Sequence, residues 1–177
     1  MRKYLGLSAV GVCLIVVLAS AATAFAGSSS TYYAGKNSQG QKLLFSVDQT
    51  ASGPKFDPFF TTMIERCPAT NQTITIAFSF SGFEIPINNG KFTFTLNDIQ
   101  DRFGWSGTIT PKSASGPESY AMPAFDNEGG LQACTTGPLT WKAMALTGSS
   151  KPTAPKPAYM VKISKASNGA VSFSFTH

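Results

Sequence analysis

Downstream of residue 27 the hydrophobic pattern has period two, and no stretch sustains a helical period. Thr73-Ile74-Thr75-Ile76-Ala77-Phe78-Ser79-Phe80 puts Ile74, Ile76, Phe78 and Phe80 on one face, and mostly Thr and Ser on the other. Lys91-Phe92-Thr93-Phe94-Thr95-Leu96 repeats the pattern directly after Asn89-Gly90, a dipeptide that favours tight hairpin turns. Residues 43–47, 103–110 and 139–146 are further strand candidates. Across these segments Phe, Ile, Val and Thr supply the side chains that fit a pleated, half-buried surface. Such alternation predicts antiparallel sheet with one face buried and one wet. With 14 Phe residues to fill an interior, the fold class expected is all-β, an antiparallel β-sandwich or flattened barrel.

Two regions break the rhythm. Residues 113–130 hold Gly, Pro and acidic residues, which predicts a long loop with a short strand near Tyr120. Residues 148–158 are rich in Ser, Pro, Lys and Gly and read as a semi-extended linker. Beyond it, 159–164 and 170–175 form a hairpin pattern around Ser167-Asn168-Gly169. An isolated hairpin is marginal in water, so this one is expected to pack on the main sheets or to pair with a partner.

The start of the chain decides the compartment. Arg2 and Lys3 precede an uncharged apolar stretch, residues 5–22, which ends in Ala24-Phe25-Ala26. That order describes a secretory signal peptide, cleaved after Ala26. An uncleaved anchor is the alternative, since the stretch is long enough to span a bilayer; its Ala/Ser/Thr-rich end favours cleavage. Lipid attachment at Cys13 is rejected, because Val12 is a poor residue before a lipidated cysteine. The chain thus divides into a signal peptide (1–26), a β-domain (27–147), a linker (148–158) and a C-terminal hairpin (159–177). The mature protein is expected to be secreted, with no stable membrane insertion.

Cleavage leaves about 150 residues, enough for one domain with a real core. It also lowers the formal charge from +5 to +3, because losing Arg2 and Lys3 leaves 12 basic residues against 9 acidic ones. The remaining basic residues form no cluster, so the stripe or patch that nucleic-acid binding needs is missing. Cys13 leaves with the leader, so Cys67 and Cys134 remain as a pair expected to form a disulfide in an oxidising compartment. Closing that loop restricts the unfolded chain by roughly 4 kcal/mol in the chain-entropy account. The alternative is two free thiols in the core. An immunoglobulin reading fails on spacing, because that fold places a Trp soon after its first cysteine, whereas Trp105 lies far beyond Cys67 and Trp141 follows Cys134.

Four phrases, in order, carry a resemblance. They are Tyr33-Ala34-Gly35-Lys36-Asn37-Ser38-Gln39-Gly40, the mid-chain Cys67, Ile87-Asn88-Asn89-Gly90-Lys91-Phe92, and Cys134-Thr135-Thr136-Gly137-Pro138-Leu139-Thr140-Trp141. Over residues 32–145 the chain resembles a group of small secreted bacterial β-sandwich domains of uncharacterised function. The resemblance implies fold and compartment; it implies no catalytic residue and no ligand.

Candidate chemistry is sparse. His177, the only histidine, is the last residue, where chain ends fray, so Ser-His-Asp and Cys-His arrangements have no base. Zinc has almost no ligands left. Asp98 and Asp101 flank Ile99-Gln100, but nothing singles out a glycosidase pair among the nine acids. Asp126, Asn127 and Glu128 offer oxygen ligands that suit calcium, against the plainer reading that Asp and Asn beside Gly make turns. Asn71-Gln72-Thr73 matches the N-glycosylation acceptor, which matters only in a host that glycosylates. No cofactor and no catalysis are expected.

The aromatics are the remaining ligand surface. Trp and Tyr faces suit sugar rings, and Tyr32, Tyr33, Trp105 and Tyr120 are the candidates; Trp141 reads as core, on one face with Leu139, Ala143 and Ala145. Two functions follow. One is a non-catalytic extracellular binding module for cell-wall or environmental polysaccharide, which needs those rings exposed and coplanar. The other is a structural or adhesion domain making protein–protein contacts through its sheet edges, which needs an uncovered strand after Pro157.

Overall fold

The computed structural model describes residues 29–97, 102–125, 131–148, 150–157 and 160–176. Their strands are β1 (Ser30–Asn37), β2 (Lys42–Thr50), β3 (Gly53–Cys67), β4 (Gln72–Ser81), β5 (Ile85–Pro86), β6 (Lys91–Asn97), β7 (Arg102–Ile109), β8 (Ser113–Phe125), β9 (Leu131–Ala145), β10 (Met160–Lys165) and β11 (Val171–Thr176). The sheet order is β11-β10-β4-β3-β2-β1-β9-β8-β7-β6, with β5 paired to β3. β10 runs parallel to β4. β3 also meets β9 at Arg66↔Thr135, so β3, β2, β1 and β9 form a closed ring and the all-β sheet becomes a barrel.

Two one-residue bulges help β3 and β9 to curve. On β3 the register steps from Leu44↔Phe60 to Phe45↔Pro58, which leaves Phe59 as the extra residue. On β9 it steps from Tyr120↔Gly137 to Ala121↔Thr135, which leaves Thr136 extra. A bulge bends its strand and steepens the twist, as closing a sheet requires. The Cys67–Cys134 disulfide occupies the rung next to Arg66↔Thr135, with a Cα–Cα distance of 4.2 Å, and staples the seam.

The interior is aromatic. Trp105 and Trp141 meet edge to face at 5.9 Å, Phe56 stacks on Phe92, and Phe78 and Phe80 of β4 reach Phe103 of β7 and Phe94 of β6 across the core. A smaller cluster lies on the outer face: Leu44, Phe59, Phe60 and Ala77. The bulge puts Phe59 and Phe60 together there. Ala154 of the Pro-rich segment packs on this cluster, and the Lys151 ammonium sits 4.4 Å from the Phe59 ring centroid. The linker is therefore a strap lying over the sheet.

The expected strands at 43–47, 73–80, 91–96, 103–110 and 139–146 all lie on observed ones, and the final hairpin joins the sheet through β10. β1 and β3 were not anticipated. Residues 113–130 need correction, because 113–125 form a continuous strand paired with both neighbours. Pro117 denies its strand one N–H, and the side chain of Trp141 makes good the loss. The Trp141 indole N–H donates to the carbonyls of Ser106 and Pro117, each at 3.1 Å. Gly107 and Gly116 leave room for this: a Cβ on Gly107 would meet the Trp141 ring, and one on Gly116 would strike the Ser106 carbonyl oxygen. Residues 1–26, expected to be a signal peptide, fall outside the described residues.

Candidate functional site

The four ring candidates do not form a platform. Trp105 and Tyr120 are 1% exposed and Tyr33 is 2% exposed. Tyr33 stacks on Phe45 at 4.8 Å and donates its hydroxyl to the Thr110 carbonyl. Tyr120 lies against Phe78 at 4.4 Å. Trp105 touches Phe45, Phe56, Phe80, Phe103 and Trp141. These three face the barrel interior, because alternation assigns them to the apolar face of their strands. Tyr32 is half-buried, edge-on to Phe59. Trp141 is core, as its pattern indicated. The calcium candidates Asp126, Asn127 and Glu128 lie outside the described residues, as do Asp98, Asp101 and His177. Among the described residues no group of three or more His, Cys, Asp or Glu comes together as metal ligands.

The seam where β3 meets β9 gathers polar groups instead. β2 leaves β3 after Leu43↔Thr61, and β9 takes over at Arg66↔Thr135. Side chains from the β1–β2 turn fill the interval. Asn37 Nδ2 donates to the Thr62 carbonyl at 3.1 Å, while Gln39 Nε2 donates to the Ile64 carbonyl and Gln39 Oε1 accepts the Ile64 N–H, both at 2.7 Å. Asn37 Oδ1 accepts the N–H groups of Gln39 and Gln41 and holds the turn in place. Opposite, Thr135 and Thr136 occupy the β9 bulge with Gly137 at φ 65°. The Thr136 hydroxyl accepts the Tyr120 N–H, and the Thr135 hydroxyl accepts that of Gly137. Gln39, Ile64, Thr135, Thr136 and Gly137, with Glu65, Arg66 and Thr73, line a pocket of about 320 Å³.

Inside the barrel from that seam lies a buried polar cluster. Glu118 is 1% exposed; its carboxyl accepts the Thr61 hydroxyl at 2.9 Å and Asn37 Nδ2 at 3.4 Å. Burial raises Glu118 from its ordinary 4.5 to about 7, against the lowering effect of those two hydrogen bonds. Near the strap, Asp57 is raised from 3.8 to about 6 by burial first, then by the Asp48 charge and less by Glu84, with Lys151 opposing. Sequence reading singled out none of Asn37, Gln39, Thr61, Glu118 or Asp57. The signal available for Asn37 and Gln39 was their place in the opening phrase of the resemblance.

At the far end of the sheet, β11 has a strand partner on one side alone among the described residues. Its sequence, Val-Ser-Phe-Ser-Phe-Thr, carries no charge and no proline. Val171 is 39% exposed, and Phe173 packs partly against the core. Among the described residues no helix is long and apolar enough to cross a membrane. Compared with protein-family models, with curated proteins and with solved structures, this chain has no match.

Proposed function

We propose that this protein is a secreted, non-catalytic interaction domain that engages other proteins by accepting a strand along β11. The observation that carries the reading is the uncharged edge of β11, which has no second strand partner among the described residues. Unpaired N–H and C=O groups on an edge are a template for another chain, and proteins that avoid such pairing place Lys, Pro or a bulge there. β11 has none of these between Val171 and Thr176, whereas the edge strand at the opposite end, β6, carries Lys91. Backbone hydrogen bonds would supply affinity, and side-chain positions on alternate faces would supply selectivity. The polysaccharide reading has less support, since three of its four rings are in the core.

Val171→Glu tests the proposal. Val171 pairs with Lys165, so glutamate there faces a lysine within the hairpin while charging the edge. Extracellular proteins retained on the immobilised wild-type domain and lost on Val171→Glu, at unchanged melting temperature, are expected. Retention of the same proteins by both, or of none by either, overturns the reading.

A further inference from the structure

We infer that the seam pocket is a binding site for a uronic-acid sugar unit, with the Arg66 guanidinium receiving the sugar carboxylate. This is independent of strand capture at β11 and uses a different part of the molecule. Arg66 stands in one cross-strand row between Thr73 and Thr135. All three residues are exposed. Among the described residues Arg66 has no ion-pair partner and the Thr73 hydroxyl has no hydrogen bond. Gln39 keeps a second amide N–H beyond its bonds to Ile64. The groups left over are thus chiefly donors, arranged around one cation.

That inventory selects the ligand. A guanidinium fork matches a carboxylate through two parallel N–H···O bonds. The Thr73 hydroxyl and the spare Gln39 N–H suit ring hydroxyls next to it. No aromatic side chain lines the pocket, so a flat heteroaromatic ligand has nothing to stack on. At about 320 Å³ the space is at the small end of ligand pockets, fit for one sugar unit. Glu65 also lines the pocket, from the opposite face of the strand to Arg66. Successive side chains on a strand point to opposite faces, so Glu65, fully buried, forms the inner wall while Arg66 faces solvent. The walls are also fixed in advance: the Thr135, Thr136 and Gln39 side chains are tied to backbone groups, which lowers the ordering cost of binding.

Calorimetric titration of the mature protein with trigalacturonate, and with uncharged maltotriose, tests this. Trigalacturonate is expected to bind and maltotriose not to. Arg66→Gln should weaken trigalacturonate roughly tenfold or more, the scale of a lost bidentate charge-assisted pair. Thr73→Val should weaken it a few-fold. Lys112→Gln removes a positive charge at the other end of β9, where the Lys112 carbonyl accepts the Ala145 N–H; it should bind as wild type. Arg66→Lys, which keeps the charge and loses the fork, carries the test if Arg66→Gln does not fold, and should also weaken binding. No binding of trigalacturonate, equal binding of maltotriose, unchanged affinity in the Arg66 variants, or an equal loss in Lys112→Gln overturns the inference.

Discussion

Gln39 holds Ile64 as a neighbouring strand would, giving a hydrogen bond to its carbonyl and taking one from its N–H, each at 2.7 Å. A side-chain amide here replaces a peptide unit in the ladder, over the interval where β3 has lost β2 and has not yet met β9. An unpaired backbone group shielded from water costs about 1–3 kcal/mol. Gln39→Leu should therefore lower stability by about that much, read as a shift in urea midpoint at constant m-value. Gln39→Glu keeps an acceptor for the Ile64 N–H and loses the donor, so its midpoint should fall between the two. If Gln39→Leu behaves like an ordinary surface substitution, water satisfies Ile64 equally well and the surrogate role is wrong.

The Cys67–Cys134 bond spans 67 residues of sequence and lies one rung from the single β3–β9 pair. Replacing both cysteines with Ala should cost about 2–5 kcal/mol, typical of a native disulfide in a small secreted domain. The loss should also be local before it is global. Amide exchange at Arg66 and Thr135 should accelerate in the variant while Phe78 and Trp105, deep in the core, keep most of their protection. Uniform acceleration would mean that the barrel opens as one unit.

Stability should decline as pH rises through the acid-to-neutral range. A carboxyl whose folded pKa is raised holds its proton more tightly in the native state. Its favourable contribution is complete below the unfolded value and lost by the time pH exceeds the folded one. For Glu118 that window runs from 4.5 to about 7, worth on the order of 3 kcal/mol. Asp57, raised from 3.8 to about 6, acts in the same direction but is partly solvated, which shrinks its share. Glu118→Gln, a neutral side chain of the same shape, should flatten most of the slope in denaturation measured from pH 4 to 8. An equally steep slope in that variant would place the titrating group elsewhere.

What was legible in the sequence follows the reach of each signal. Alternation marked β4 and β6, because a two-residue period is local and both strands have one apolar face. It missed β3, whose bulge at Phe59 breaks the period and whose Leu44–Phe60 side faces an outer cluster roofed by the strap. The burial of Tyr33, Trp105 and Tyr120 was not legible for a related reason. Residue type alone cannot separate a ring on the inner face from one on the outer face; strand parity does, once the strand is known. The seam pocket was out of reach, since it joins residues from Gln39 to Gly137 through a closure that no local pattern encodes. The disulfide was reachable because cysteine arithmetic, with its compartment, is independent of register.

Pro117 is the sharpest case of a local rule overruled from a distance, and it can be tested as a pair. In the β7–β8 ladder Ser106 and Pro117 occupy opposite positions, between Trp105↔Glu118 and Thr108↔Ser115. Pro117 has no N–H to give Ser106, and the Trp141 indole supplies the missing donor to the Ser106 carbonyl. Trp105 is equally buried, yet its Nε1 has no hydrogen-bond partner among the described residues. Trp→Phe removes similar volume at both sites, but at Trp141 alone it also orphans two carbonyls. Trp141→Phe should thus be more destabilising than Trp105→Phe, by about 1–3 kcal/mol. Pro117→Ala restores an N–H to the ladder. It should recover part of that loss in the Trp141→Phe background while changing the wild type much less, a coupling visible in a double-mutant cycle by thermal denaturation. Additive effects in the cycle would mean that the Trp141 N–H and the Pro117 vacancy are unrelated, and that β8 survives its proline for some other reason.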